Sequence, residues 1–315
     1  MNKWNKYLAI MAAVLTAQLL APTSLDAKGK MRAKHVILIG IDGWASKGFE
    51  KADMPTVKDM MQNGSYTLSK RSVLPSASAI NWASMLMGVG TESHGYTAWN
   101  SQTPEIPSSV VNSHGIFPTV FSILKEQRPN TKSAVITDWS GIKYVIDSLA
   151  VDDLMWYEGA GYGKKNGKKY GEPADYSRKA EDYIRQNKPT FFFIYFGGLD
   201  ETGHKKGWNK PAYYEFEKTL DTCVYNIVQA TKDAGIYDDT VFILTSDHGG
   251  IDKGHGGKTL DEMQSPFIVY GKGIQKNHEI TDAMMQYDVA ATIAYLLGLE
   301  TPQAWVGRPM MQIFK

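Results

Sequence analysis

The chain has 315 residues, 43% of them hydrophobic, with 34 Lys and Arg against 33 Asp and Glu. That length and apolar fraction support one large core and exclude global disorder, and a net charge of +1 sets up no long-range field for nucleic acid or an anionic membrane surface. The single cysteine, Cys223, excludes an intramolecular disulfide and any cysteine-based zinc or iron–sulfur site.

Lys3 and Lys6 precede an apolar run from Tyr7 to Ala21, and Leu25-Asp26-Ala27 ends on a small residue. This is the order of a secretory signal peptide, residues 1–27. The run falls short of the roughly 20 residues that span a bilayer. The expectation is an exported protein, periplasmic or secreted, with no membrane span after cleavage and one domain over residues 28–315.

His35 to Ile41 is a continuous β-branched run and predicts a strand buried on both faces. Short helices are predicted over Pro55–Asn63, ending at Gly64, and over Ser78–Met87, ending at Gly88. Another helix is predicted from Phe117 to Glu126, then a strand from Ser133 to Thr137. A Gly- and Lys-rich loop insertion spans about 155–173, and its part from Gly159 to Gly171 is expected to be mobile. A helix follows over Asp175–Gln186 and a second buried strand over Phe191–Phe196. The longest helix, Pro211 to Ala234, carries Tyr213, Phe216, Leu220, Cys223, Val224, Ile227 and Val228 on one stripe. Strands at Val241–Thr245 and Phe267–Tyr270 and a helix at Asp288–Leu297 close the chain. Strands alternating with helices predict an α/β fold, a mostly parallel central sheet with helices on both faces.

Three buried strands run into acidic residues: Asp42 after the first, Asp200 after the second, Asp247 after the third. In open α/β sheets, ligands bind outside the carboxyl ends of the strands. Taken singly, each aspartate is also an ordinary turn or cap residue. The histidines shift that balance. His204 lies four residues after Asp200, on the same face of a helical turn. His248 adjoins Asp247, and His255 sits in a glycine-rich loop, Gly254-His255-Gly256-Gly257. His94 is a further candidate. Mixed carboxylate and imidazole donors suit zinc better than calcium or magnesium.

The ordered set Asp42, Pro75-Ser-Ala-Ser78-Ala-Ile-Asn81-Trp82, Gly88 with His94-Gly95, Asp200-x-x-x-His204, Asp247-His248-Gly249 and His255 resembles the alkaline phosphatase superfamily. Within it, the chain is most similar to type I phosphodiesterases/nucleotide pyrophosphatases. The likeness reaches the Tyr287-to-Gly298 helix and Gly307-Arg-Pro309. It implies two zinc ions, one held by Asp200, His204 and His255 and the other by Asp42, Asp247 and His248. Ser78 matches the nucleophile position, which also ligates the second metal. The residues themselves agree: Ser78 opens a predicted helix, as an N-cap, where free amides and the helix dipole favour an anion. Asn81 is expected to fix the turn before it. The implied activity is cleavage of phosphodiester or pyrophosphate bonds through a phosphoryl-serine. The substrate class is a small phosphate ester, nucleotides among them.

The sequence departs from the pattern in places. Where the phosphodiesterases place a phosphate-contacting Asn, this chain has Trp99, so Asn100 is the candidate only through a one-residue loop shift. No Arg lies between Arg71 and Arg128, which tilts the reading from monoesters toward diesters. The sulfatase motif, Cys or Ser followed by x-Pro-x-Arg, is absent after Ser76 and Ser78. A phosphomonoesterase or phosphonate hydrolase with the same metals is the alternative. A non-enzymatic surface protein is disfavoured by the complete ligand set. Trp99, Trp156, Tyr157 and Tyr162 are candidates to stack on a base or aryl group, and Lys164, Lys165, Lys168 and Lys169 to steer an anion.

Overall fold

Apolar runs with no polar alternation must be covered on both faces. The computed structural model, which describes residues 29–157, 164–165, 168–169 and 173–314, places them at the centre of an eight-stranded sheet. Its strands are β1 (His35–Ile41), β2 (Ser65–Arg71), β3 (Ser133–Thr137), β4 (Asp153–Trp156), β7 (Phe191–Phe196), β8 (Thr240–Thr245), β9 (Gln264–Gly271) and β10 (His278–Glu279). A separate two-residue ladder joins β5 (Lys164–Lys165) to β6 (Lys168–Lys169) within the stretch expected to be loop. The helices are α1 (Pro55–Gln62), α2 (Ser78–Met87), α3 (Thr91–His94), α4 (Val120–Gln127), α5 (Pro173–Asn187), α6 (Gly198–Lys206), α7 (Pro211–Asp233), α8 (Leu260–Met263) and α9 (Asp288–Leu297). The signal-peptide segment and Tyr162 lie outside the described residues.

The strand order is β10-β2-β9-β8-β1-β7-β3-β4. The three strands that run into Asp42, Asp200 and Asp247 are therefore immediate neighbours. From β8 to β4 the pairings are parallel, while β9 runs antiparallel between β8 and β2. The four-residue α8 is the one helix between β8 and β9, and an antiparallel neighbour needs no crossover helix.

Side chains alternate between two cores. Val36 and Leu38 of β1, with Phe191, Phe193 and Tyr195 of β7, face the core beneath α2, α4 and α9. Ile37, Ile39, Phe192 and Ile194 face the core beneath α5 and α7. Gly40 lets the first core close on β1: a Cβ there would lie 2.5 Å from the Trp82 ring and 2.8 Å from Phe193. The predicted helix at Phe117 begins later, because Pro118 and Thr119 precede it and Thr119 caps it by accepting from Ser122 N. Three strands of the sheet, β2, β4 and β10, had no sequence prediction. Among the described residues, no helix is long and apolar enough to cross a membrane.

One buried carboxyl supports the turn after β1. Glu217 of α7 accepts from Trp44 Nε1 at 3.0 Å, while its other oxygen has no partner. Burial pushes its pKa from 4.5 up to about 8. Below pH 4.5 the carboxyl is neutral in both folded and unfolded chains and costs nothing. As pH rises from 4.5 to 8, only the folded chain holds the proton, so stability is lost across that window. Glu217→Gln keeps an acceptor for Trp44 and removes the titration. It should match the wild type in melting temperature near pH 4.5 and exceed it above pH 8, by on the order of a few kcal/mol. A constant offset across pH in scanning calorimetry would contradict this.

Candidate active site

The carboxyl ends of β1, β7 and β8 bring six donor residues into two groups. Asp200, His204 and His255 form one; Asp42, Asp247 and His248 form the other. Within each group the donor atoms lie within 4.8 Å of one another. In the first, His204 Nε2 is 3.4 Å from Asp200 Oδ2, His255 Nε2 is 3.5 Å from Asp200 Oδ1, and the two Nε2 atoms are 3.1 Å apart. In the second, His248 Nε2 is 3.2 Å from Asp247 Oδ2 and 3.5 Å from Asp42 Oδ1. The rings of His248 and His255 stack at 3.7 Å and link the groups.

The backbone decides which nitrogen faces inward. His204 Nδ1 meets Lys253 O at 2.9 Å, His248 Nδ1 meets Gly249 O at 2.8 Å, and His255 Nδ1 meets Ser76 O at 2.9 Å. A carbonyl can only accept, so each Nδ1 carries the proton and each Nε2 is left with a lone pair unless the ring is cationic. All three lone pairs are aimed where the carboxylates converge, as in metal-ligating histidines oriented by backbone carbonyls. Asp200 Oδ1 and Asp247 Oδ2 are buried with no hydrogen-bond partner. Donor chemistry, fixed tautomers and orphaned carboxylate oxygens together fit two transition-metal ions.

Electrostatics carry the same strain. Burial, then Asp247 and Asp200, push the Asp42 carboxyl well above its usual range. Burial also raises Asp247. Burial opposes the charge on Asp200, yet the His204 hydrogen bond and the surrounding imidazoles hold it below the usual value. Asp200 in turn raises His204 to about 9, whereas burial and then His248 lower His255 to about 4.

Local structure fixes each carboxylate. Asp42 Oδ2 accepts from Tyr195 OH at 2.5 Å and Trp82 Nε1 at 3.0 Å, leaving Oδ1 for the site. Asp247 Oδ1 accepts from Gly43 N at 3.1 Å. Gly43 has φ +68°, and a Cβ there would lie 2.9 Å from Asp200 Oδ1, so only glycine passes the chain between the two groups. Beneath Asp247, fully buried Lys70 donates to Ser246 O at 2.6 Å and to the Gln286 side chain. Burial pulls its pKa down to about 7, with Asp247 and Asp288 opposing.

Ser78 faces the second group: its Oγ is 3.3 Å from His248 Nε2 and 3.5 Å from Asp42 Oδ1. It is the first residue of α2, and Ala77 is the N-cap, with no side-chain cap. The expected free amides are partly spent, since Ala79 N donates to Trp99 O at 3.0 Å. Asn81 fixes the preceding turn, bonding Val73, Pro75 and Ala77 through its side chain. Ser76 turns away, donating to Gly257 O and accepting from Gly256 N, and so ties down the His255 loop.

Other sequence candidates lie elsewhere. His94 is buried with its ring nitrogens satisfied by Ser84 and Tyr96 N, outside both groups. Asn100 is exposed and does not line the cavity over Ser78, whereas Trp99 does. Trp156 and Tyr157 are also outside that lining, Tyr157 packing edge-on to Tyr176. The cavity, of about 760 Å³, is instead lined by Asp138, Trp139, Tyr195 and Glu201, none singled out from sequence, together with Asp42, Ser78, Asp200, His204 and His255. No motif marks them, although Asp138 does follow the buried strand β3.

The profile of the type I phosphodiesterase / nucleotide pyrophosphatase family matches residues 36–265. The chain belongs to that family. Among curated relatives, GPI ethanolamine phosphate transferase 1 of Chaetomium globosum is 32% identical over 153 residues, 42% of this chain and 16% of that protein. GPI ethanolamine phosphate transferase 3 of Schizosaccharomyces pombe is 29% identical over 131 residues, 40% of this chain and 14% of that protein. The matches thus span about one-sixth of those relatives' length. Murine ectonucleotide pyrophosphatase / phosphodiesterase 5 shares the fold at 15% identity, TM-score 0.67, covering 85% of this chain and 96% of its own. A variant of alkaline phosphatase PafA does so at 13% identity, TM-score 0.69, covering 90% and 99%.

The uncompensated carboxylates make a thermal prediction. Divalent cation added to chelator-treated protein should raise the melting temperature, by roughly 2.7 kcal/mol of stability at a hundredfold excess over Kd. Asp247→Asn should narrow the rise. Identical calorimetric scans with and without cation would contradict the clustering.

Proposed function

We propose that the protein is an exported, zinc-dependent phosphoryl-transfer enzyme that cleaves phosphodiester or pyrophosphate bonds through a phosphoryl-serine at Ser78. The observation that carries this reading is the placement of Ser78 Oγ 3.3 Å from His248 Nε2 at the edge of two donor groups whose imidazole tautomers are fixed by backbone carbonyls. Asp200, His204 and His255 would hold one zinc, and Asp42, Asp247 and His248 the other. Zinc there would lower the pKa of the serine hydroxyl and neutralise charge on the phosphoryl group.

The chain's own residues supply the rest. Asn81 and the Ser76 bonds hold the turn that presents Ser78. Ser78 Oγ bonds to phosphorus as the bond from phosphorus to the leaving alcohol breaks. The serine proton is released and the alcohol takes one up. A second displacement then frees Ser78. Among the residues whose side chains are described, no Lys or Arg lines the cavity, and no Arg lies between Arg71 and Arg128; both support diesters over a dianionic monoester. The relatives named as ethanolamine phosphate transferases favour an alcohol over water as final acceptor. In alcohol-containing buffer, the ratio of new diester, formed by transfer to the alcohol, to monoester, formed by transfer to water, reads that choice. Export rests on the signal-peptide reading of residues 1–27, and residues 28–315 form the catalytic domain.

Ser78→Ala should cut turnover of bis-p-nitrophenyl phosphate by several powers of ten, about 4 kcal/mol or more of barrier, while metal content is retained. Ser76→Ala should keep most of the chemical rate but bind metal more weakly, through the loosened His255 loop. A Ser78→Ala variant with near-normal turnover would remove the mechanism.

A further inference from the structure

Lys70 is fully buried beneath the site, where an apolar side chain of the same length would cost far less. The strand β2 is bent to put it there. From Thr67 to Lys70 is three steps along β2, but their partners on β9, Phe267 and Ser265, are two steps apart. One extra residue is a β-bulge, and it re-aims the side chains that follow. Ser65 and Thr67 are buried; past the bulge Ser69 is exposed and Lys70 is buried in its place. Thr67 and Ser69 close the bulge between themselves, their hydroxyls 2.9 Å apart and Ser69 N donating to Thr67 Oγ1 at 3.2 Å.

The ammonium has two partners, and each leads to a different part of the reacting centre. Lys70 Nζ donates to Ser246 O at 2.6 Å. The same carbonyl accepts from Ser265 Oγ at 3.2 Å and Gln286 Nε2 at 3.3 Å, so three donors pin the residue just before Asp247 and His248. Lys70 also donates to Gln286 Oε1. Gln286 in turn donates from Nε2 to Asn81 O at 3.4 Å, and its backbone N–H donates to Arg71 O at 2.8 Å. Asn81 is the residue whose side chain fixes the turn into Ser78. Lys70, Ser246, Ser265, Gln286 and Asn81 are all fully buried. Lys70 does not line the cavity, so it acts on a substrate through the groups it holds.

We propose that Lys70 is a positioning residue for phosphoryl transfer, holding the Asp247–His248 turn in register with Ser78 through Ser246 and Gln286. The proposal rests on the reading of Ser78 as nucleophile given above and adds the group that sets its alignment with the metal-binding turn. Ser78 Oγ lies 3.3 Å from His248 Nε2, and a misplacement of about 1 Å costs on the order of a hundredfold in rate. Misalignment of that kind is felt in the transition state and not in substrate binding, so it lowers kcat and spares KM.

The test compares the zinc-loaded wild type with Lys70→Met, which keeps the length of the side chain and removes its donors and charge. On bis-p-nitrophenyl phosphate, kcat should fall by about thirtyfold or more, with KM within threefold. Zinc content should match the wild type. The melting temperature should stay level or rise, because an apolar chain is less costly to bury than an ammonium. Wild-type kcat overturns the proposal. So does a loss of activity that tracks lost zinc or a lower melting temperature, the result a purely structural lysine would give. Gln286→Glu keeps an acceptor for Lys70 and removes the donor to Asn81. It should lower kcat at least fivefold with zinc retained, and an unchanged kcat overturns the proposal even where Lys70→Met does not fold. If the wild type cleaves no diester, the diesterase reading fails and ligand binding decides the positioning role. Orthovanadate mimics a phosphoryl group in transfer and draws on transition-state alignment, whereas inorganic phosphate does not. In calorimetry, Lys70→Met should weaken vanadate binding at least tenfold and phosphate binding less than threefold; equal changes in both overturn it.

Discussion

Three hydrogen bonds from imidazole Nδ1 to backbone carbonyls hold this site in the form its chemistry needs. With the protons of His204, His248 and His255 committed to Lys253, Gly249 and Ser76, their Nε2 lone pairs converge on carboxylates that already repel one another. The Nε2 atoms of His204 and His255 lie 3.1 Å apart, and Asp200 holds a proton on His204 up to about pH 9, so a cation, proton or metal, belongs between the two rings. The centre is thus built for positive charge. The site's other features either supply that arrangement or tolerate its cost.

The sheet supplies it. Parallel packing of β8, β1 and β7 stacks three carboxyl ends side by side, so residues more than 150 positions apart in sequence meet without a long loop. Gly40 gives Trp82 room to approach, and Trp82 and Tyr195 then hold one oxygen of Asp42 so that the other faces Ser78. On the far side, Lys70 buries an amine under the Ser246–Asp247 turn and braces it through a carbonyl. The last elements of the site are tied to one another: the Ser76 segment that leads into Ser78 also accepts from His255 and closes on Gly256 and Gly257.

Much of this was legible in the sequence. The strands at 35–41, 133–137 and 191–196 and the helices at 78–87 and 288–297 match their predicted limits, because their apolar runs end sharply at glycine, acidic or polar residues. Asp42, Asp200 and Asp247 each follow a buried strand within four residues, whereas His204 was read from its four-residue spacing to Asp200 and His255 from its glycine-rich loop. The strand over Ser65–Arg71 was missed because its sequence, SYTLSKR, is polar and its buried lysine contradicts the usual pattern of burial. The edge strand at Asp153–Trp156 was missed because it exposes Leu154 and Trp156. Asp138 and Trp139 follow a strand as the metal-site aspartates do, but no histidine accompanies them, so nothing local distinguished them from a turn. Asn100 rested on register alone, and the loop presents Trp99 instead.

The most direct measurement is anomalous diffraction at the zinc edge from crystals of the zinc-loaded protein. Two peaks are expected. One should be bound by Asp200 and the Nε2 atoms of His204 and His255. The other should be bound by Asp42, Asp247 and His248 Nε2, with Ser78 Oγ facing it. A single peak, ligation through Nδ1, or a serine turned away from the second ion would contradict it.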